Sequence, residues 1–555
     1  MEYSELIEVY KKLEATPKKL EKIDILAEFL KKAEGEELPI LLRLLEGNIF
    51  MPWENLELGV AEKMMINAIQ KCTGISQPTL LTMLKETGDL GEVAVKALSQ
   101  RKQVTLFKKR LTVKEVYENL RNIGLCVGEK SQDRKISIIS RLLNFADAEE
   151  AKYLVRTLLG DLRVGVAEGI LLEAIAKAFN VGRDKVEHAY NFKVDFGEVA
   201  KLAKEGEQAL LSVKPEIGKP IRVMLAERGE SIEKAVEDTK EPAIEIKYDG
   251  MRTLVEKKGD KIWLFTRRLE NVTAQFPDLV ELCRKNLLFV EGIVEGETLG
   301  IDVKTGRPLP FQELSKRIHR KYDIEKMAKE IPIQINFFDC ILVDGEEVWK
   351  KSFKERRRIL EEVVDEEEGR FMLAKQIRTR DIKEIEKFYQ EALEQGQEGI
   401  MIKNLLAPYQ PGRRVGYMYK IKPEKETLDV VIVGAEWGEG RRANWLGSFV
   451  LAVRDEETGE FLEIGKMGTG LTDEQFKEIT ERLKPYIIAE HGKEVKLKPV
   501  LVIEVGFQEL QKSPNYNSGF ALRFPKLVRF RDDKSPEEAD TLERVKRLYE
   551  LYSKK

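Results

Sequence analysis

The sequence predicts a multidomain fold in three parts: an all-α region over residues 1–215, an α+β region over 216–424, and a small β-barrel over 425–555. Three observations lead to it. Apolar residues recur at helical spacing up to about residue 210, and two prolines flanking Gly218 then interrupt the pattern. From Leu428 onward, β-type runs separated by Gly-rich turns take over. A chain of 555 residues has room for roughly three or four domains of ordinary size.

Composition narrows the class. Hydrophobic residues make up 42% and charged residues 34%, which suits globular domains with real cores and heavily charged surfaces. The start, Met1 to Glu5, lacks the layout of a secretory leader, and no apolar run reaches the length of a membrane span. The expectation is a cytoplasmic monomer. The net charge of −3 neither supports nor opposes nucleic-acid binding, because a basic stripe can sit on a neutral protein. Four dispersed cysteines (Cys72, Cys126, Cys283, Cys340) indicate neither a zinc ribbon nor a disulfide framework. His188, His319 and His491 have no obvious catalytic partners nearby in sequence and read as packing or surface residues.

In the first region, Leu6, Val9, Tyr10 and Leu13 repeat at helical spacing, as do Ile23, Leu26, Phe29 and Leu30. Two stretches resemble each other, Leu56-Glu57-Leu58-Gly59-Val60-Ala61-Glu62 and Leu162-Arg163-Val164-Gly165-Val166-Ala167-Glu168, so an internal duplication is expected. Between them lies a basic stretch, Arg101, Lys102, Lys108 to Arg110, Lys114 and Arg121. A solvated helix face explains it more readily than a phosphate-contacting surface. Gly88-Asp89-Leu90 and Gly160-Asp161-Leu162 read as helix starts.

In the middle region, Ile262–Phe265, Leu287–Val290 and Ile335–Phe338 read as strands, and 353–364 and 382–393 as helices. Its focus is Glu245 to Arg252, a strand, a tight turn and another strand that contain Lys247-Tyr248-Asp249-Gly250. A lysine at a strand end among apolar residues loses hydration, and a lysine that sheds its proton is a nucleophile. Alone, the tetrapeptide is equally compatible with a surface hairpin around an Asp-Gly turn. In the last region, 429–433, 448–453 and 500–505 read as strands. Ser535 caps a terminal helix with Pro536 at its first position, and Leu542, Val545 and Leu548 dock it.

Downstream motifs extend the lysine. They are Thr266-Arg267-Arg268, Glu295-Gly296-Glu297, Phe338-Asp339, Glu398 to Lys403, Lys420-Ile421-Lys422, and Arg523-Phe524-Pro525 with Arg531 to Lys534. In this order the series resembles the covalent nucleotidyltransferases, and closely the ATP-dependent DNA ligases of archaea and eukaryotes. The resemblance spans nearly the whole chain. It implies a helical DNA-binding domain, a nucleotidyltransferase (adenylation) domain and an OB-fold, with ATP and Mg²⁺ as cofactors and nicked double-stranded DNA as partner.

Residue by residue, it implies that Lys247 takes AMP from ATP as a covalent lysyl-AMP. Glu245 then reads the adenine edge, Phe338 stacks on adenine, and Arg252, Arg267 and Arg414 hold ribose or phosphate. Lys420 and Lys422 serve the α-phosphate, and Arg531 and Lys534 orient the leaving pyrophosphate. Glu297 and Glu398 place Mg²⁺, with ribose as the alternative contact for Glu297, since a hard dication takes oxygen ligands. The third motif is nearly doubled (Glu291-Gly292 precedes Glu295-Gly296-Glu297), and Glu297 is chosen because an acid-x-acid pair leads into a strand. Gln103, Leu106 and Phe107 resemble the short sliding-clamp motif of archaeal ligases. An RNA ligase or a capping-type nucleotidyltransferase is the alternative, though neither needs some 200 helical residues ahead of its catalytic domain.

Overall fold

The structure is a computed structural model that describes residues 1–100, 109–318, 320, 322–412, 415–423, 427–532 and 534–553. It forms two compact units. One takes in Met1–Met83 and Leu90–Lys422, the other Leu84–Asp89 and Pro423–Lys555.

The first unit begins with a run of helices from Tyr3–Glu14 to Glu207–Leu211. Leu6, Tyr10, Leu13, Leu26 and Leu30 are buried on facing helices, and the Tyr10 hydroxyl donates to Leu44 O at 2.8 Å. The two similar stretches adopt the same local structure. Gly59 and Gly165 both lie in the left-handed region (φ 58° and 64°), and a lysine from a distant helix holds each turn. Lys135 Nζ donates to Leu58 O and Lys22 Nζ to Val164 O, both at 2.6 Å. A Cβ on either glycine would come within 2.8 or 2.4 Å of that lysine nitrogen. The helices Glu62–Thr73 and Glu168–Phe179 then start one residue after matching Ala61 and Ala167.

The described part of the basic stretch is paired. Arg121 forks onto Glu54 (2.8 and 3.0 Å), Arg110 meets Glu2, and Lys109 meets Glu115. Gly88-Asp89 does precede a helix, Leu90–Ser99, but Gly160-Asp161-Leu162 does not. There Gly160, at φ 71°, ends the preceding helix, and the next begins only at Glu168. No helix among the described residues is long and apolar enough to cross a membrane.

After the helices, Gly218 (φ 93°) turns the chain over Trp263 and donates its N–H to Glu256 Oε2 at 2.5 Å. Glu256 is 0% exposed, and its Oε1 has no partner among the described residues. Burial pushes this carboxyl up to about 8. The native state therefore holds a proton that the unfolded chain releases above the ordinary 4.5, and stability falls as pH rises from there to about 8. Glu256→Gln should stabilise the protein by about 2 kcal/mol at pH 9 and scarcely at pH 5, read by denaturant unfolding at both values.

Two five-stranded sheets follow. Their strands are β1 (Glu227–Arg228), β2 (Pro242–Lys247), β3 (Met251–Lys258), β4 (Lys261–Thr266), β5 (Glu291–Gly300), β6 (Ile333–Val343), β7 (Phe371–Leu373), β8 (Gln376–Ile377), β9 (Gly399–Asn404) and β10 (Met418–Ile421). One sheet has the order β1-β10-β9-β2-β8 and the other β4-β3-β5-β6-β7. So β2 and β3, consecutive around Lys247, are not a hairpin; the chain crosses there from one sheet to the other. The strand expected at Leu287–Val290 is also corrected. Only Leu287 makes an isolated bridge, and the long strand is β5, whose Gly292, Gly296 and Gly300 weaken its β signature. Helices Phe353–Val363 and Ile382–Glu394 lie where the apolar spacing places them.

In the second unit a seven-stranded sheet wraps one apolar core. Its long strand, β11 (Thr427–Trp437), pairs with β12 (Leu446–Arg454), β15 (Glu494–Leu497) and β16 (Val502–Gly506). β13 (Phe461–Met467), β14 (Ile487–His491) and β19 (Lys526–Phe530) extend it, and a ribbon of β17 (Glu509–Lys512) and β18 (Phe520–Arg523) adds to the core. Helix Asp473–Leu483 contributes Phe476, Ile479 and Leu483 to that core. The expected terminal helix is split. Pro536–Glu538 makes one 3₁₀ turn capped by Ser535, and the α-helix Leu542–Ser553 then buries Val545 and Leu548.

Candidate active site

The crossing from β2 to β3 builds one wall of a cleft of about 590 Å³ between the two sheets. Gly250 is required by close approach: a Cβ there would sit 2.4 Å from Thr298 O on β5. The Lys247 carbonyl accepts from the Glu398 N–H at 2.9 Å, and the Asp249 N–H donates to Gln397 Oε1 at 2.9 Å. Gly399, opposite Lys247 in the register, has φ 139°, and a Cβ on it would lie 2.1 Å from Ile421 O. This contact brings β10 and its lysines against Glu398. As a result Lys247 Nζ stands 2.7 Å from Glu398 Oε2, and Lys422 Nζ pairs with the same oxygen. Lys420 lies on β10 and lines the cleft, while Lys422 is one residue beyond the strand. Gly399→Ala should cost about 3 kcal/mol or more of stability, seen as a lowered unfolding midpoint.

The other wall comes from β3, β5 and β6. Arg252 is opposite Glu297 in the register, yet its guanidinium forks onto Glu295, with Nε at 3.2 Å and Nη2 at 2.9 Å. The Glu297 carboxylate makes no hydrogen bond or ion pair to any described residue. Burial pushes its carboxyl up to about 7; Glu398 and Glu295 add to the rise, and Lys247 and Arg252 oppose it. Such a carboxylate gains from a cation. Glu297 and Glu398 both line the cleft, so their oxygens could meet an ion that also takes phosphate oxygens.

Phe338 alternates on β6 with Phe337, which is buried against Phe371. Phe338 itself faces the cleft, with Lys403 Nζ 4.6 Å and Arg252 Cζ 5.4 Å from its ring centroid. Glu245 is buried at the back, paired with Lys403 at 2.5 Å and accepting from Gln376 Nε2 at 2.8 Å. Arg267 is exposed at the rim. The cleft therefore offers an aromatic face, a carboxylate edge and several cations around one lysine. That set can take a purine nucleotide through its base, sugar and phosphates.

Nine of the expected residues line this cleft: Glu245, Lys247, Arg252, Arg267, Glu297, Phe338, Glu398, Lys420 and Lys422. Arg414 and the stretch with Gln103, Leu106 and Phe107 lie outside the described residues. Arg531 and Lys534 belong to the second unit. There Arg531 Nη1 forks onto Asp429 (2.9 and 3.0 Å), and Lys534 Nζ reaches the same carboxylate at 2.7 Å. Sequence reasoning did not single out Glu295 or Tyr409, whose hydroxyl donates to Glu295 Oε2 at 2.8 Å. The doubled acidic motif was the available signal for Glu295.

Comparison with known proteins gives a consistent answer. Residues 2–176 match the family model for the DNA ligase N terminus, 223–422 that for the ATP dependent DNA ligase domain, and 442–534 that for the ATP dependent DNA ligase C terminal region. The chain is 50% identical to the DNA ligase of Nanoarchaeum equitans, covering 99% of both chains. It is 48% identical to that of Thermococcus onnurineus (99% of this chain, 98% of the other) and 43% identical to that of Archaeoglobus fulgidus (99% of both). The solved structure "Pmar-Lig_PreS3" shares the fold, with a TM-score of 0.53 and 18% identity over 95% of this chain and 99% of that one.

Proposed function

We propose how this chain, which belongs to the family of ATP-dependent DNA ligases, divides its chemistry among its residues. It joins nicks in duplex DNA with ATP, and Lys247 is the nucleophile. The observation that carries this is the meeting of Lys247, Glu398, Lys422, Glu297 and Phe338 in one cleft.

In the first step Lys247 Nζ leaves its pair with Glu398, gives up a proton, and bonds to the α-phosphorus as the bond to the pyrophosphate oxygen breaks. Phosphoryl transfer asks mainly for in-line positioning and neutralised oxygens. Phe338 stacks on the adenine, Glu245 reads its edge, and Arg252, Arg267 and Arg414 hold ribose or phosphate. Lys420 and Lys422 face the α-phosphate. When Mg²⁺ is bound by Glu297 and Glu398, it neutralises charge on the phosphate oxygens. In the later steps the AMP passes to the 5′-phosphate at the nick, and the 3′-hydroxyl displaces it.

We assign residues 1–215 to DNA binding, 216–424 to adenylation and 425–555 to an OB-fold that serves both stages. Arg531 and Lys534 orient the departing pyrophosphate in the first step only. Arg531→Ala and Lys534→Ala should each slow self-adenylation about a hundredfold but leave sealing of a pre-adenylated nick within about threefold. Equal losses in both assays would contradict a role confined to the first step. Gln103, Leu106 and Phe107 are assigned to a sliding clamp.

The test of the function as a whole supplies nicked DNA and nicked RNA duplexes side by side with ATP and Mg²⁺. Sealing of the DNA is expected. Sealing of the RNA alone would replace this reading with the RNA-ligase alternative.

A further inference from the structure

We propose that Tyr409 is a positioning residue for the nucleotide step: its hydroxyl fixes Glu295, and Glu295 in turn fixes Arg252 in the cleft. The proposal rests on the reading above that Arg252 touches the nucleotide.

Four residues form a closed ring of hydrogen bonds. Arg252 forks onto Glu295 through Nε and Nη2, and its Nη1 donates to Met224 O at 2.9 Å. The Met224 N–H donates to the Tyr409 hydroxyl at 3.0 Å. A backbone N–H can only donate, so the hydroxyl's own hydrogen is left for Glu295 Oε2 at 2.8 Å. Glu295 is 0% exposed and Tyr409 1%, so water does not stand in for either partner. Burial drives the phenol far above its ordinary range, and it remains a neutral donor at any working pH.

Tyr409 takes its own place from the backbone. Its N–H donates to Trp349 O at 3.0 Å, and the Trp349 ring packs on Phe192 of helix Arg183–Lys193 with centroids 4.9 Å apart. On the other side, Gly412 N donates to Val223 O at 3.1 Å, which ties the same loop to the segment that carries Met224. The hydroxyl thus sits in a frame that does not need it for packing.

What the hydroxyl decides is a competition between two carboxylates. Arg252 faces Glu297 across the β3–β5 register but pairs with Glu295. The Glu297 carboxylate has no partner of its own among the described residues. Without the Tyr409 donor, Glu295 loses one of the hydrogen bonds that hold it in place, and Arg252 can turn to Glu297. That movement withdraws a cation from the nucleotide and occupies a carboxylate assigned to the metal.

Tyr409→Phe keeps the ring and deletes only the hydroxyl. In single-turnover self-adenylation with varied ATP, the half-saturating concentration should rise about tenfold. The rate at saturation should stay within about threefold, while the unfolding midpoint should fall modestly, because the Met224 N–H and the Glu295 carboxylate each lose a buried partner. In an Arg252→Lys background the same substitution should add less than about twofold, because the fork it positions is gone. Should Tyr409→Phe fail to fold, Glu295→Gln carries the same expectation. An unchanged half-saturation, or a full tenfold effect repeated in the Arg252→Lys background, would overturn the proposal. Uptake of AMP by Lys247→Ala would instead overturn the reading beneath it, whatever Tyr409 does.

Discussion

Lys247→Ala should take up no AMP from ATP, with self-adenylation down by at least about 10⁴-fold. The reason is chemical: no other amine in the cleft occupies the place that Lys247 holds at the end of β2, where the crossing between the sheets fixes its backbone against Glu398. The loss should not reflect unfolding. Glu398 retains its pair with Lys422 when Lys247 is truncated, so no carboxylate is stranded. Sealing of a nick that already carries AMP should survive, since that step uses the 3′-hydroxyl and not the lysine. A variant that fails in the first assay and succeeds in the second would place the defect in the nucleophile alone.

Glu297→Gln should lower self-adenylation by about 10²- to 10³-fold, and its pH behaviour identifies the cause. In the wild type, burial and the neighbouring carboxylates push Glu297 up to about 7. Only the ionised form can hold a cation, so the rate should fall on the acid side of about pH 7. Raising the Mg²⁺ concentration should move that acid limb to lower pH, because binding competes with the proton. A limb that ignores Mg²⁺ would assign Glu297 to the ribose instead.

The same group makes an opposite prediction for stability. Its folded value lies above the unfolded 4.5, so the native state binds the extra proton between those values and loses stability as pH rises through them. Glu297→Gln should therefore unfold at a higher temperature than wild type at pH 8 and gain nothing at pH 5. An inactive variant that is the more stable one at working pH is what a charge held for a ligand predicts.

Much of this architecture was legible in the sequence because it rests on local signals. Helical spacing located the all-α region, and Gly218 between two prolines located its end. The order of short motifs around Lys247, Glu297, Phe338, Glu398 and Lys420 gave the family before any geometry. What stayed hidden depends on contacts between distant segments. That β2 and β3 belong to different sheets cannot be read from Lys-Tyr-Asp-Gly, which looks like a hairpin turn; β5 and the Thr298 carbonyl impose the crossing. The strand β5 was missed in favour of Leu287–Val290, because its glycines, needed for close approach (Cβ contacts of 2.5 Å at Gly292 and 2.9 Å at Gly296), weaken the pattern. Glu295 and Tyr409 escaped for a related reason. Each acts through a partner more than forty residues away, and neither residue type signals that role by itself.

The most direct measurement is to mix the protein with ATP and Mg²⁺, record its intact mass, and map the modified peptide. The account predicts one AMP per chain on the peptide that contains Lys247, through a nitrogen–phosphorus bond that alkali spares and acid cleaves. AMP found on any other residue, or no AMP at all on a protein that still seals nicks, would contradict it.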